Sequence, residues 1–175
     1  MRVYISGKIG EEVISEATRE KFARAQRMLE VMDYEVFNPT DEKWQRALRR
    51  EYDNDQYMKS PFLMGQFPDF YAYALLRDLM VLSTKDAVFF LSDWRKSPGA
   101  LTEHQFAEAT GKRMFFADRK DACEYLIGRM YREAEAGNTP IEYETIQDRN
   151  DIEIAYFTRH LHEAWRPLSG EEGEV

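Results

Sequence analysis

Runs of β-branched and aromatic residues alternate with helical patterns over the first 117 positions of the chain. Four short apolar runs, bounded by turn-forming or charged residues, predict β-strands. They are "RVYIS" at 2–6, "YEVFNP" at 34–39, "DAVFFL" at 86–91 and "RMFFA" at 113–117. The third run is almost continuously apolar, which is typical of a strand buried on both faces.

Between these runs, apolar residues recur every three or four positions, as in an amphipathic helix. The first predicted helix begins at the N-cap Ser15 and extends to position 32. The second covers 70–83, with an apolar stripe made of Ala72, Leu75, Leu76 and Leu79. The third covers 100–111 and is closed by Gly111.

Strands that alternate with helices predict an α/β fold, with a doubly wound, mainly parallel sheet of Rossmann or flavodoxin type and helices on both faces. We assign 1–118 to this core. Residues 41–70 form a loop or lid insertion, within which "DEKWQRALRREYDND" also fits a polar helix. Residues 119–175 form a C-terminal helical extension of the same domain.

Composition and charge narrow the class of protein. The chain has 175 residues, a net charge of −8 and a pI near 5.0, which argues against a nucleic-acid partner and for a small-molecule ligand. Its single cysteine, Cys123, fits a reducing, cytoplasmic location. We expect no signal peptide and no membrane span, because the N-terminus reads as a strand and no apolar run is long enough to cross a bilayer. We also expect no metal site, since the three His and one Cys are scattered along the chain.

Ligands of open α/β sheets bind at the carboxyl ends of the strands. Three segments are expected to meet there: "SGKIG" after the first strand, "NPT" after the second and "SDWRKSPGALTE" after the third. Gly7 and Gly10 are compatible with a phosphate-binding loop or with ordinary turns. Asn38, taken alone, marks the end of a strand.

Glu103 lies one turn into the helix that follows "SPG". The helix N-terminus would keep its carboxylate ionised, as a nucleophile requires, or Glu103 would simply stabilise the helix. Asp78 lies beside an apolar stripe, where burial would raise its pKa; the alternative is a surface ion pair. For Asp86 we favour the interpretation as a surface residue in an ion pair. Tyr4, taken alone, is interpreted as a residue that packs in the core.

In this order, "VYISGKIG", "NP", "RDLMVLSTKDAVFFL" and "DWRKSPGALTEHQFAEATGK" resemble the nucleoside 2-deoxyribosyltransferase-like superfamily over roughly 1–117. The likeness extends to its small uncharacterised phage and bacterial branch and to its 2′-deoxynucleoside 5′-monophosphate N-glycosidases. The resemblance implies cleavage or exchange of the base of a 2′-deoxynucleoside or its monophosphate, without cofactor or metal. It also implies a homo-oligomer, dimer or higher.

Residue by residue, the resemblance implies that Glu103 is the nucleophile, that Asp78 protonates the departing base and that Tyr4 positions the nucleophile. It implies substrate contacts from Ser6, Gly7, Lys8, Gly10, Asn38, Asp86, Trp94, Ser97, Gly99 and Ala100. The aromatic stretch Phe62–Tyr73 fits either a base-stacking wall or core packing.

One position departs from the superfamily pattern. Leu101 stands two residues before the glutamate, where characterised members usually have glycine, and its side chain would narrow the approach of a sugar or phosphate. This departure favours the alternative that the same crevice binds a nucleotide without cleaving it. A further alternative assigns oligomer contacts to the C-terminal segment, whose apolar spacing is Ile154, Phe157, Leu161 and Ala164.

Overall fold

The computed structural model describes residues 1–11, 13–58 and 69–135. Four parallel strands form one sheet in the order β2-β1-β3-β4. Their bounds are β1 Arg2–Ser6, β2 Glu35–Phe37, β3 Ala87–Phe90 and β4 Arg113–Phe116. All four predicted strands are therefore present, and the predicted α/β fold with a parallel sheet is confirmed.

The order of the strands locates a crevice. β1 pairs with β2 on one side and with β3 on the other. The chain therefore adds β2 on one side of β1 and then crosses to the other side to add β3 and β4. Ser6, the last residue of β1, pairs with Phe90, the last residue of β3. The carboxyl ends of these two strands thus form the topological switch point, where ligands of such sheets bind.

Five helices are described, together with a single 3₁₀ turn at Trp94–Lys96. Their bounds are α1 Glu16–Val31, α2 Glu42–Met58, α3 Phe70–Ser83, α4 Pro98–Ala109 and α5 Arg119–Glu135. The predicted cap of α1 is confirmed, since the Ser15 side chain accepts a hydrogen bond from the Thr18 N–H. Gly111 follows α4 with a φ of 65°, a left-handed conformation suited to a helix end.

The segment 41–70 contains more regular structure than a loop or lid insertion implies. The polar helix considered for this segment is present as α2, and residues 59–68 lie outside the described residues. The α2 helix packs through the Trp44 ring, edge-on against Phe37 of β2 at 5.2 Å between ring centroids. Its Glu51 carboxylate also pairs with Arg77 of α3 at 2.9 Å. The helix is therefore attached to the core at its first turn and near its middle.

The apolar stripe predicted for α3 is wrong in part. Leu76, assigned to the buried stripe, is 43% exposed, whereas the buried residues of α3 are Tyr73, Asp78 and Leu82. Because α3 is apolar around most of its circumference, helical spacing alone does not decide which face turns inward. The inward face is the one that carries the aspartate.

The chain divides into two compact units, Met1–Met114 and Phe115–Val175. The core of the first unit is made of strand and helix side chains such as Val3, Ile5, Phe22, Leu29, Phe89 and Leu91. In the second unit, Phe115, Phe116 and Ala122 are buried, and the Phe116 and Tyr125 rings lie 5.5 Å apart. The helical pattern at 151–167, with its predicted oligomer contacts, lies outside the described residues.

Candidate active site

Two hydroxyl groups of β1 converge on the carboxylate of Glu103. Tyr4 and Ser6 are two residues apart, so both side chains project from the same face of the strand. The Tyr4 hydroxyl donates to Glu103 Oε1 at 2.6 Å, and the Ser6 hydroxyl donates to Oε2 at 2.5 Å. Each carboxylate oxygen thus has its own donor, which fixes the orientation of the group.

The helix α4 brings Glu103 to this point. Ser97 caps the helix by accepting from the Ala100 N–H at 3.3 Å, and Pro98 follows in the first helical position, where its fixed φ is favourable. Gly99, Ala100 and Glu103 are all buried on the inward face. With only 6% of its surface exposed, Glu103 is an acidic residue in the interior, which requires compensating hydrogen bonds.

A second buried acid, Asp78, is supplied by α3. It is 8% exposed, and its Oδ1 accepts a 3.0 Å hydrogen bond from the Trp44 indole N–H of α2. Burial, followed by the nearby charge of Glu103, raises the pKa of Asp78 to about 8. The expectation of a raised pKa is therefore confirmed, and the alternative of an exposed ion pair is not.

The pKa of Glu103 differs from the sequence expectation. Burial raises it to about 7, although the hydrogen bonds from Ser6 and Tyr4 act in the opposite direction. The N-terminus of α4 does not keep this carboxylate ionised at all pH values, because desolvation outweighs the favourable contacts. Burial and the two carboxylates also raise the pKa of Tyr4 well above its usual value, so Tyr4 remains a neutral donor.

Tyr71 also belongs to the site, although the sequence did not single it out from its aromatic stretch. Burial raises the pKa of its phenol, followed by the charge of Glu103, whereas the nearby Gly99 N–H acts in the opposite direction. A Cβ on residue 99 would lie 3.1 Å from the Tyr71 hydroxyl. Tyr71 is 54% exposed and is thus the accessible side of an otherwise buried cluster.

A family model matches most of this chain. The model describes a domain of unknown function, DUF4406, and it covers residues 1–116. The chain belongs to the DUF4406 family. No curated protein and no solved structure matches it. The matched region includes Tyr4, Ser6, Asp78 and Glu103, so the whole buried cluster lies within the DUF4406 domain.

The loop after β1 of the DUF4406 domain is held by the loop after β3. The Lys8 N–H donates to Asp93 Oδ1 at 3.2 Å, and the Lys21 ammonium pairs with Asp93 Oδ2 at 2.6 Å. Gly7 is required by close packing, because a Cβ there would lie 2.7 Å from Leu91 Cδ1. Gly10 has a φ of 54°, so its role in this loop is conformational.

Several residues of the predicted substrate-binding set have structural partners. The Asn38 amide donates to Gln26 at 3.0 Å while its oxygen accepts from Thr40 at the end of β2. Trp94 is buried, with its ring stacked on His104 at 4.6 Å. Both residues lie near the carboxyl edge of the sheet, and the hydroxyl donors of the Glu103 carboxylate are Tyr4 and Ser6.

Asp86 is not brought to the site. It precedes β3 and pairs with Arg2 at the start of β1, with 2.8 Å between Oδ1 and the guanidinium. This hydrogen bond is the main reason why the pKa of Asp86 falls to about 2. The pair lies at the amino ends of the strands, opposite the crevice. Asp86 is therefore a surface residue in an ion pair, as its position in the sequence favoured.

Neither a metal-binding cluster nor a membrane-spanning helix is present in the part of the chain that the structure describes. Within residues 1–11, 13–58 and 69–135, no three His, Cys, Asp or Glu side chains are grouped so as to hold a metal ion. In the same part of the chain, no helix has the length and apolar character needed to cross a bilayer.

Proposed function

We propose that this protein cleaves the N-glycosidic bond of a 2′-deoxynucleoside or its 5′-monophosphate, or exchanges its base, through a covalent glutamyl-sugar intermediate. The observation that carries the proposal is the buried Glu103 carboxylate, oriented by two hydroxyl donors beside a second acid of higher pKa. The motifs shared with the nucleoside 2-deoxyribosyltransferase-like superfamily support the same assignment.

In the first step, one oxygen of the Glu103 carboxylate attacks C1′ of the sugar. The C1′–N bond breaks, its electron pair remains on the base nitrogen, and the base takes the proton of the Asp78 carboxyl group. The products of this step are the free base, an ester between Glu103 and the sugar, and an ionised Asp78. A fixed anion beside C1′ stabilises the positive charge that develops on the sugar in the transition state.

In the second step, the ester is opened. Water, or a nitrogen of a second base, attacks C1′ and gives up a proton to the Asp78 carboxylate. The Glu103 carboxylate leaves with the electron pair of the ester bond, which restores both acids to their starting forms. Water as acceptor makes the protein a hydrolase, and a base as acceptor makes it a transferase.

The two raised pKa values suit these roles. Since the pKa of Glu103, about 7, is lower than that of Asp78, about 8, Glu103 is the first of the two to ionise as the pH rises, and the form with Glu103 ionised and Asp78 protonated is most populated between these values. The difference has a physical cause: Glu103 accepts two hydrogen bonds from hydroxyls, whereas Asp78 accepts one from Trp44 and feels the charge of Glu103. Pairs of acids with separated pKa values are typical of acid–nucleophile catalysis.

The test is turnover of a panel of 2′-deoxynucleosides and their 5′-monophosphates, with free base measured by chromatography. Glu103→Gln keeps the shape of the side chain and removes the nucleophile, so turnover should fall by at least about 10³-fold. Glu108→Gln, on the exposed side of the same helix, is the matched control and should retain activity. Base release that is equal in Glu103→Gln and the unaltered protein would contradict the proposal.

The second candidate is a binding module that holds a nucleotide without cleaving it. Leu101 favours this reading, because its side chain stands on the first turn of α4, 41% exposed, where the superfamily usually has glycine. Ligand-induced thermal stabilisation with no base release over the whole panel would support binding alone. Turnover that depends on Glu103 would exclude it.

A further inference from the structure

A cleft of about 370 Å³ is present on a different face of α2 from the one that carries Trp44. Its walls come from the loop after β1, the start of α1, one face of α2 and the first residue of α3. The lining residues are Val13, Ile14, Arg19, Glu42, Gln45, Arg46, Arg49 and Phe70. None of the four residues of the buried acid cluster is among them.

The cleft is positively charged in an acidic protein. Among the lining residues that the structure describes, there are three guanidinium groups, those of Arg19, Arg46 and Arg49, and one carboxylate, that of Glu42, so these residues together carry two net positive charges. The whole chain has a net charge of −8, so its average surface repels anions. A local excess of arginine against that background favours an anionic ligand.

The three guanidinium groups are partly held in place by neighbouring groups. Arg19 donates to the Thr40 carbonyl at 3.1 Å, and Arg46 pairs with Glu42 at 2.6 Å. Arg49 lies over the Phe70 ring, 4.4 Å from its centroid, and within the described residues no carboxylate pairs with it. Since a guanidinium carries five N–H donors, each of these arginines keeps donors for a ligand.

We propose that this cleft binds a small organic phosphomonoester. A phosphomonoester is close to dianionic at neutral pH, which matches the two net charges, and its oxygens fit the forked donors of arginine. The volume lies within the ~300–1,000 Å³ range of small-molecule sites and exceeds what inorganic phosphate needs. The Phe70 ring and the side chains of Val13 and Ile14 offer apolar surface to the organic part.

Titration calorimetry on the full chain tests this proposal. The probes are 2′-deoxyadenosine 5′-monophosphate, 2′-deoxyadenosine and inorganic phosphate at one fixed, low salt concentration. The protein carries Glu103→Gln, so that no probe is consumed and the result does not depend on catalysis. The monophosphate should bind at least about tenfold more tightly than the nucleoside.

Arg49→Gln should weaken binding of the monophosphate by about 10- to 100-fold and leave binding of the nucleoside unchanged. Arg46→Gln is the second variant and should act in the same direction. Arg27→Gln is the matched control, because Arg27 is an exposed residue of α1 that pairs with Glu20 and does not line the cleft. Circular dichroism confirms that each variant is folded.

Three results would overturn the proposal: equal affinity for the monophosphate and the nucleoside, unchanged affinity in both arginine variants, or binding of inorganic phosphate as tight as that of the monophosphate. The outcome is separate from that of the proposed function. Phosphate discrimination that is independent of Arg46 and Arg49 would remove this site and leave the reaction at Glu103 standing. Arginine-dependent binding without any base release by the unaltered protein would support this binding site and contradict the proposed reaction at Glu103.

Discussion

The hydroxyl of Tyr4 donates a 2.6 Å hydrogen bond to Glu103 Oε1, joining two residues that are 99 positions apart in the chain. Tyr4 is fully buried, and its ring is stacked on Phe37 at 5.5 Å between centroids. The packing of the ring therefore fixes the position of the hydroxyl, and the hydroxyl fixes the carboxylate. Tyr4, interpreted from its position alone as a core residue, is buried in the core and also contacts the candidate nucleophile.

Removing this hydroxyl should shift the pH dependence of the reaction. The unaltered protein is expected to show a bell-shaped profile with its optimum between about pH 7 and pH 8, set by ionised Glu103 and protonated Asp78. Tyr4→Phe removes a donor that favours the ionised form of Glu103, so the acidic limb should move to higher pH. Turnover below pH 7 should fall by about 10- to 100-fold, measured as base release from pH 5 to 9.

Phe37 offers the control for this prediction. Phe37→Leu loosens the packing of the Tyr4 ring but keeps the hydroxyl, so it should lower stability without moving the acidic limb to the same extent. An acidic limb that is unchanged in Tyr4→Phe would show that the hydroxyl does not act on the ionisation of Glu103.

Asp78→Asn should stabilise the protein at alkaline pH. The folded pKa of Asp78 is raised from 3.8 to about 8, so between these values the folded state binds a proton that the unfolded state has lost. Stability from this group is complete below about pH 4 and is lost as pH rises through 8. Asparagine never ionises, so the free energy of unfolding of Asp78→Asn should be higher than that of the unaltered protein by on the order of 5 kcal/mol at pH 9, and by about 1–2 kcal/mol at pH 5.

Urea unfolding at pH 5 and pH 9 measures this difference, and Asp86→Asn provides the opposite sign. The folded pKa of Asp86 is lowered to about 2, so its contribution is present above about pH 4 and is lost only as pH falls through 2. Asp86→Asn should therefore cause the same small loss at pH 5 and pH 9, because its pair with Arg2 is exposed. A loss of stability in Asp78→Asn that is equal at both pH values would contradict the burial argument.

Gly99 and Tyr71 should show energetic coupling. Alanine is normally better than glycine within a helix by up to about 1 kcal/mol, but here its Cβ would lie 3.1 Å from the Tyr71 hydroxyl. Gly99→Ala should therefore be stabilising in a Tyr71→Phe background and less favourable, by at least about 0.5 kcal/mol, in the unaltered one. Tyr73→Phe, on the same helix as Tyr71, is the control background. In it, Gly99→Ala should change the free energy of unfolding by the same amount as in the unaltered protein.

Gly7→Ala should destabilise the domain by about 1–3 kcal/mol, since the new Cβ would meet both Cδ1 and Cβ of the buried Leu91 at 2.7 and 3.0 Å. Because two atoms are involved, a rotation of the leucine does not remove the overlap. In a Leu91→Ala background the cost of Gly7→Ala should fall, and chemical unfolding of the four proteins gives the difference. Additive losses would mean that the two residues do not compete for space.

The parallel sheet and most helix ends could be predicted from the sequence because their signals are local. The continuous apolar run of β3 and the caps of α1 and α4 depend on neighbouring residues alone. The position of Glu103 after a strand and a helix start left two roles open, and the resemblance to the superfamily made it the candidate nucleophile. Its pKa was not predictable, because burial depends on strands and helices that are remote in sequence.

Three features required the structure. The inward face of α3 was ambiguous, since Leu76 and Leu82 fit apolar stripes of the same helix, and only the second is buried. Tyr71 was one aromatic residue among many until its contact with Gly99 distinguished it. The bond from Trp44 to Asp78 crosses from α2 to α3, and no spacing in the sequence indicates such a contact.

The bonds of Asp93 have a consequence for any ligand that enters the crevice. Its carboxylate already occupies the Lys8 amide and the Lys21 ammonium, two groups of a kind that would otherwise attract a phosphate. A ligand that uses them has to exchange with this resident anion, so its gain is only the difference between the two sets of bonds. The Asp93 carboxylate therefore competes with an anionic ligand for the loop after β1. Selective binding of an anion has to depend on residues other than Lys8 and Lys21.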